Sequence, residues 1–350
     1  MPKLVVMKGL PGSGKSTVAR ELVAKDGTMI RVNRDDLRKM LHGDANWSKG
    51  REAQTVAAEM SIARTAILSG TNVLVDDTNI LGKGVQLWYD FANSLSELDV
   101  DIKPEVIDMT DVPLSLCVAQ DTLRSGSARV GRGVIERMAL FGGLIDLSKA
   151  EKVAVVDIDG TLADLDHRLV FLQSTPKDYK GFFDWVNLDG PFRTVWQAVR
   201  TLKDTGHTVI ILSGRPASTG YASNEWLSAR VYQTEGLDPL NHDHLFMRQT
   251  GDHRPDDQVK RQLMNTMFEK AGLRKEAIKV VIDDRDSVCA VWREMGLPLI
   301  QVDHGTIVRI EPSSFRMAQM LQIPINSGEM PADQDKPTTG GTDGTQTVSS

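Results

Sequence analysis

VAVVDIDGTLAD, residues 153–164, decides how this chain is read. It opens on four consecutive apolar residues, the mark of a short strand buried on both faces. Two carboxylates, Asp157 and Asp159, lie at the strand's end, and Gly160 permits a tight chain path after them. In an open parallel sheet ligands sit beyond the carboxyl ends of the strands, so the pair is placed for chemistry. A D-x-D pair alone is a common turn feature. Its weight comes from its companions further along the chain.

Three later segments supply matching pieces at successive strand ends. VIILSGR (209–215) ends on Ser213, a candidate donor to a phosphate oxygen, and Arg215, a candidate anion contact. Lys260 opens the helical pattern VKRQLMNTMF (259–268), where it can pair with a phosphate and with a carboxylate nucleophile. VVIDDRD (280–286) supplies Asp283 and Asp284 as hard oxygen ligands suited to Mg²⁺. On this reading Asp157 is the nucleophile and Asp159 the general acid and base.

The first half of the chain carries a different site. GLPGSGKST (9–17) satisfies G-x-x-x-x-G-K-[ST], continues from the apolar run KLVVMK and opens a helical pattern. In such a loop backbone N–H groups surround a phosphate, the lysine reaches the outer phosphates, and the hydroxyl approaches Mg²⁺. Gly9, Gly12, Ser13, Gly14, Lys15, Ser16 and Thr17 are the expected ATP-binding set. RVNRDDLRKM (31–40) places Asp35 and Arg38 after the second strand, as a base for an acceptor hydroxyl and a clamp for an acceptor phosphate. VLVDDTN (73–79) offers Asp77, Thr78 and Asn79 for acceptor or metal. Arg124, Arg129 and Arg132, in DTLRSGSARVGRGVIERM (121–138), are candidate lid residues over a triphosphate, with Arg124 favoured.

Strand-like and helix-like segments alternate in two series, which predicts an α/β chain of two doubly wound parallel-sheet domains. The first series is KLVVMKG, TMIRVN, NVLVDDTN and DIKPEVIDM. The second is KVAVVDIDG, HTVIILSG, HLFMRQ, AIKVVIDD and PLIQVD. At 350 residues the chain is long enough for two separate cores. The predicted boundaries are 1–148 and 149–308. Residues 325–350, rich in Gly, Thr, Ser, Pro and Asp without aromatics, are expected to be a disordered tail.

Composition narrows the setting. Two cysteines, Cys117 and Cys289, cannot form a disulfide framework and fit a reducing cytoplasm. No apolar run reaches membrane-spanning length. The formal charge of −6 is uneven: residues 1–150 hold 19 basic and 19 acidic residues, and 151–350 hold 22 and 28. The tryptophans, among them Trp185, Trp196 and Trp226, are expected to anchor packing.

With these segments in place the chain resembles the bacteriophage polynucleotide kinase–3′-phosphatases over about residues 1–305. The resemblance rests on GLPGSGKST, VNRDDLR, DDTN, DIDGT, LSGR, GDHRPDDQVK and IDDRDSV, in that order. It implies a P-loop 5′-kinase and then a haloacid dehalogenase-like 3′-phosphatase, with ATP and Mg²⁺ as cofactors. It also implies Lys15 and Ser16 at ATP, Asp35 as kinase base, and Arg38 and Asp77 at the acceptor. Arg124 would be the lid, although Gln120 stands where an arginine is often found. Asp157, Asp159, Ser213, Arg215, Lys260, Asp283 and Asp284 match the phosphatase pattern. The expected Mg²⁺ ligands are Ser16 in the first site and Asp157, Asp159, Asp283 and Asp284 in the second. RNA or DNA ends are the expected substrates, a polynucleotide ligase the candidate partner, and a homo-oligomer the candidate assembly. The alternative is a small-metabolite P-loop kinase fused to a haloacid dehalogenase-type nucleotidase.

Overall fold

The computed structural model describes residues 2–44 and 48–325. Both series of apolar runs form strands, because continuous Val, Ile and Leu runs bury both faces of a parallel sheet. In the first half β1 (Leu4–Lys8), β2 (Met29–Val32), β3 (Asn72–Val75) and β4 (Pro104–Asp108) form a parallel sheet in the order β2-β3-β1-β4. Residues 9–14 lead from β1 directly into the helix Lys15–Lys25, the context expected of a phosphate-binding loop.

The second half holds β5 (Val153–Val156), the short hairpin β6 (Ala163–Asp164) and β7 (Gly190–Pro191), then β8 (Thr208–Pro216) and β9 (His244–Arg248). After these come β10 (Ile278–Asp283), β11 (Leu299–Asp303) and β12 (Thr306–Ile310). The main sheet runs β12-β11-β10-β5-β8-β9. It is parallel except at β12, an antiparallel edge strand beyond the predicted five. Residues 165–189, between β6 and β7, form an irregular insert with the helix Tyr179–Asp184.

Separate cores were expected, and the packing is more entangled. Leu4, Val6, Val75 and Trp88 belong to a core of the first sheet alone, and Trp196, Trp226 and Ile282 to one of the second. A third core crosses the join: Leu10, Cys117, Ile135 and Leu140 pack in one cluster with Val155, Leu212, Phe246 and Trp292. The helix Arg132–Phe141, read as part of the first domain, lies against β9 of the second sheet. Gly133 lies at this contact: a Cβ there would fall 2.4 Å from Met247 Sδ, so the Met247 side chain would have to shift.

Cys117 and Cys289 are buried free thiols. Trp88, Trp196, Trp226 and Trp292 are fully buried packing anchors, whereas Trp185 stands 46% exposed on the insert. Of the expected tail, Ile325 pairs with Ile307 and the remainder lies outside the described residues. Among the described residues no helix is long and apolar enough to cross a membrane.

Candidate active sites

At the carboxyl end of β5, Asp157 is almost fully buried and faces Lys260, whose Nζ lies 2.8 Å from both Asp157 Oδ1 and Asp283 Oδ2. Trp292 Nε1 donates to Asp283 Oδ2 at 3.1 Å and fixes that carboxylate from the core side. Asp157, Asp283 and Asp284 place carboxylate oxygens within 4.8 Å of one another. Burial, reinforced by Asp283 and Asp284, raises the Asp157 carboxyl well above its ordinary value; Lys260 opposes the rise. Burial and then Asp283 lift Asp284 to about 6. Burial alone would lower Lys260, but Asp157 and Asp283 hold it charged above its usual range.

Crowded hard-oxygen donors whose charges repel fit a divalent cation. Gly160, at φ 81°, makes room for this arrangement: a Cβ there would lie 2.1 Å from Asp284 Oδ2. Any side chain at 160 would push Asp284 off the cluster.

Asp159, expected among these metal ligands, turns elsewhere. Its Oδ1 accepts from Arg168 Nη2 at 2.6 Å, Arg215 Nη2 at 2.6 Å and Arg215 Nε at 2.9 Å. Burial alone would raise its pKa, but the Arg215 and Arg168 guanidiniums bring it down to about 2.

Arg215, expected to meet a substrate anion, is fully buried and committed to Asp159, Asp189 and Ser223 Oγ. Ser213 is also fully buried, and its Oγ accepts from the Arg215 amide at 3.1 Å. Arg168 and Asp189 complete the network, with Arg168 Nε donating to Asp189 Oδ1 at 2.7 Å. Phe182 of the insert lies under the Arg168 guanidinium at 4.2 Å. Sequence reading missed both, because they sit in the irregular insert rather than at a strand end.

In the first half Lys15 is buried, with Nζ donating to Leu10 O at 2.7 Å. Burial lowers its pKa to about 8; Arg124 adds to the fall, and Asp76 and Asp77 oppose it. Ser16 Oγ donates to Asp76 Oδ1 at 3.3 Å. Asp76, which sequence reading did not single out, is therefore the carboxylate beside the P-loop hydroxyl, whereas Asp77 was expected at the acceptor. Arg31 holds its other oxygen at 2.7 and 2.8 Å.

Asp77 points away from the loop. It accepts from the Arg34 amide at 3.0 Å and shares the Arg34 guanidinium with buried Glu59. Burial raises Asp77, and burial together with Asp77 pushes Glu59 up to about 9. Alternation along the strand explains the difference. Leu74 packs with Ala19 of the P-loop helix while Val75 packs with Trp88 on the opposite face, so Asp76 shares the face of Leu74.

Asp35 and Arg38, expected as acceptor base and phosphate clamp, are paired with each other, Arg38 Nη1 donating to Asp35 Oδ1 at 2.6 Å. The Asp35 carboxylate is 72% exposed, open to an incoming hydroxyl, and Glu52 holds the far side of Arg38 at 3.0 Å. The three candidate lid arginines separate. Arg132 donates to Glu136 and to Asp243 O, and Arg129 stacks on Tyr221. Of the three, Arg124 is the one whose charge lowers Lys15.

Residues 151–307 match the family described as the polynucleotide kinase PNKP phosphatase domain. Residues 4–139 match an AAA domain family. The two halves are thus similar to two different families, an AAA domain in the first and a PNKP-type phosphatase domain in the second. A protein of Autographa californica nuclear polyhedrosis virus, assigned as a bifunctional polynucleotide kinase/RNA ligase, is 24% identical over 322 residues. The match covers 85% of this chain but only 42% of that relative's length. Among solved structures, a chain of the Pnkp1/Rnl/Hen1 complex is 28% identical, with 86% of this chain and 96% of that chain covered at a TM-score of 0.33. The kinase half also aligns with a Mycobacterium tuberculosis APS kinase, CysC, at 27% identity over 31% of this chain and 76% of the other, at a TM-score of 0.25.

Proposed function

We propose that the chain heals broken polynucleotide ends, phosphorylating 5′-hydroxyl termini from ATP and removing phosphate from 3′ termini. The observation that carries the reading is Lys260 set between Asp157 and Asp283 inside the PNKP-type phosphatase domain, with a complete P-loop in the preceding domain. The opposed activities then act on different ends of one break, leaving the 3′-hydroxyl and 5′-phosphate that a ligase joins. The relative that carries ligase in its name supports a polynucleotide ligase as the partner step.

In the phosphatase half an Asp157 oxygen attacks phosphorus, forming an aspartyl-phosphate as the bond to the 3′-oxygen breaks and that oxygen takes up a proton. Lys260 keeps the attacking carboxylate oriented and partly neutralised. Asp159, held ionised, is suited to accept a proton from the water that hydrolyses the intermediate. For Asp159 to protonate the leaving oxygen it must first take a proton from solvent, which requires Arg168 or Arg215 to release it so that its pKa rises; left ionised by that transfer, it then accepts the proton of the hydrolytic water. Mg²⁺ bound by Asp157, Asp283 and Asp284 would offset repulsion between carboxylate and phosphate, as would Mg²⁺ at Ser16 and Asp76 for the triphosphate.

In the kinase half Lys15 binds the outer phosphates, Asp35 takes the proton of the 5′-hydroxyl, and Arg38 clamps a phosphate of the acceptor. The test is one oligonucleotide carrying 5′-hydroxyl and 3′-phosphate, incubated with γ-labelled ATP. Label should appear at the 5′ end and phosphate should leave the 3′ end. Asp35→Ala should lose about 10²–10⁴-fold of the first activity alone, and Asp157→Asn should lose the second alone. Label transfer confined to small metabolites would refute the reading.

A further inference from the structure

We propose that Tyr221 of the phosphatase half is a positioning residue for the kinase's ATP lid, acting through Arg129. The inference rests on the kinase reading above and extends it across the join. Residues 123–131 connect the helix Leu114–Thr122 to the helix Arg132–Phe141 and carry Arg124, the arginine whose charge reaches Lys15.

The ends of this segment are tied together by Asp121. Its two carboxylate oxygens accept from the amides of Val130 at 3.2 Å and Gly131 at 2.8 Å, and Arg124 Nη1 lies 3.6 Å from Oδ1. Arg129 crosses the segment and donates from Nη2 to Thr122 O at 2.5 Å. Its Nε has no hydrogen-bond partner among the described residues, and its guanidinium carbon lies 4.6 Å from the Tyr221 ring centroid. A cavity of about 160 Å³ lined by Asp121, Thr122, Arg129, Arg132 and Tyr221 lies alongside, so the ring is a principal support of the guanidinium.

A cation held over an aromatic face is attracted by the ring's quadrupole, and more strongly where water is partly excluded. Immediately beyond the lid, Arg132 is anchored in the phosphatase half through Asp243 O at 2.6 Å and Asn224 Oδ1 at 3.4 Å. The lid is thus folded against the other domain at Tyr221 and leaves it through Arg132. Its resting position, and with it the reach of Arg124 toward the triphosphate, depends on a residue outside the kinase half. Tyr221 stands on the helix Gly220–Glu225, which meets the phosphatase network through Ser223. Truncating the exposed Tyr221 ring spares that contact.

The experiment compares the full wild-type chain with Tyr221→Phe and Tyr221→Ala. It measures kinase KM for ATP and kcat, ATP affinity by titration without acceptor, phosphate release from a 3′-phosphorylated oligonucleotide, and amide exchange over 122–131. Tyr221→Ala should raise KM for ATP about two- to fivefold. Exchange at Val130 and Gly131 should accelerate and 3′-phosphate release should stay unchanged, while Tyr221→Phe, which keeps the ring, should behave as wild type. Wild-type KM and exchange in Tyr221→Ala would overturn the proposal. So would equal losses of both activities, or a Tyr221→Phe variant as impaired as Tyr221→Ala. If the wild-type chain phosphorylates no oligonucleotide, the kinase reading fails, while ATP titration and amide exchange still decide the anchor.

Discussion

Replacing Asp189 by asparagine removes one negative charge from between two fully buried guanidiniums while keeping the side chain's shape. Asp189 meets Arg168 Nε at 2.7 Å and Arg215 Nη2 at 2.5 Å. Among the described residues Asp159 is the one other carboxylate ion-paired with these two cations. At an effective dielectric of about 20, one such contact has a gross Coulomb energy of about 6 kcal/mol. Desolvation of both ions offsets much of it, so the net worth of the intact network is small. Breaking it from one side is different, because the surviving charge stays buried and under-compensated, at a cost of about 3–5 kcal/mol. The melting midpoint should fall by about 4–7 °C for a chain of this size. Below the transition, 3′-phosphatase kcat should fall as Asp159 shifts toward the freed guanidiniums, and 5′-kinase activity should remain. Thermal melts monitored by circular dichroism, with both activities measured on the same preparations, provide the assay. An Asp189→Asn chain that melts with wild type and keeps full phosphatase activity would refute the argument that this carboxylate holds the two arginines.

Asp76→Asn should cost the kinase about 10²-fold or more in kcat/KM by weakening the set beside Ser16. Asp77→Asn, which relieves repulsion with Glu59, should retain more activity, and the reverse order would refute the assignment of faces. Lys15, lowered to about 8 by burial, is partly deprotonated at pH 8 in the free protein and should regain its proton beside ATP phosphates. Calorimetry in buffers of different ionisation enthalpy should therefore show proton uptake on ATP binding at that pH, absent in Lys15→Met. Glu136 is raised by burial from its ordinary 4.5 to about 7. Between those values the folded chain binds more protons than the unfolded one, so stability should fall as pH rises from about 4.5 to about 7, by up to about 3 kcal/mol, and then level off. Glu136→Gln should flatten that dependence in urea titrations.

The strand framework was legible because a strand buried on both faces must be continuously apolar where it is buried, and the stretches 4–7, 153–156, 209–212 and 280–282 are. Carboxylates at the ends of those runs, Asp157 and Asp283, were legible for the same reason. Whether Asp76 or Asp77 faces the P-loop was not within reach, because Leu74 and Val75 are both apolar and only their packing, against Ala19 and Trp88, assigns the two faces. Arg168 and Asp189 were not within reach. They lie 21 residues apart in a segment without periodicity, and nothing local announces that Arg168 and Asp189 join Asp159 in one network. The β12 edge strand was lost because Thr306–Ile310 is short and comes straight after a tight turn. The packing of Arg132–Phe141 on β9 brings Gly133 to Met247, a contact between distant segments that no window of sequence contains.

The cluster that joins Leu10 and Ile135 to Phe246 and Trp292 has a consequence for anyone who handles the halves apart. A cut near residue 148 falls between two catalytic sites but passes through the interior of one apolar body. Each fragment would present to water a face built to be dry, and would be prone to pair with the matching face of another molecule. Expressed separately, the halves should be poorly soluble alone and should recover when co-expressed, reassembling without a covalent link. Heated intact, the chain should show a single cooperative transition rather than two. In this chain the line where function divides is not the line where the polymer would come apart.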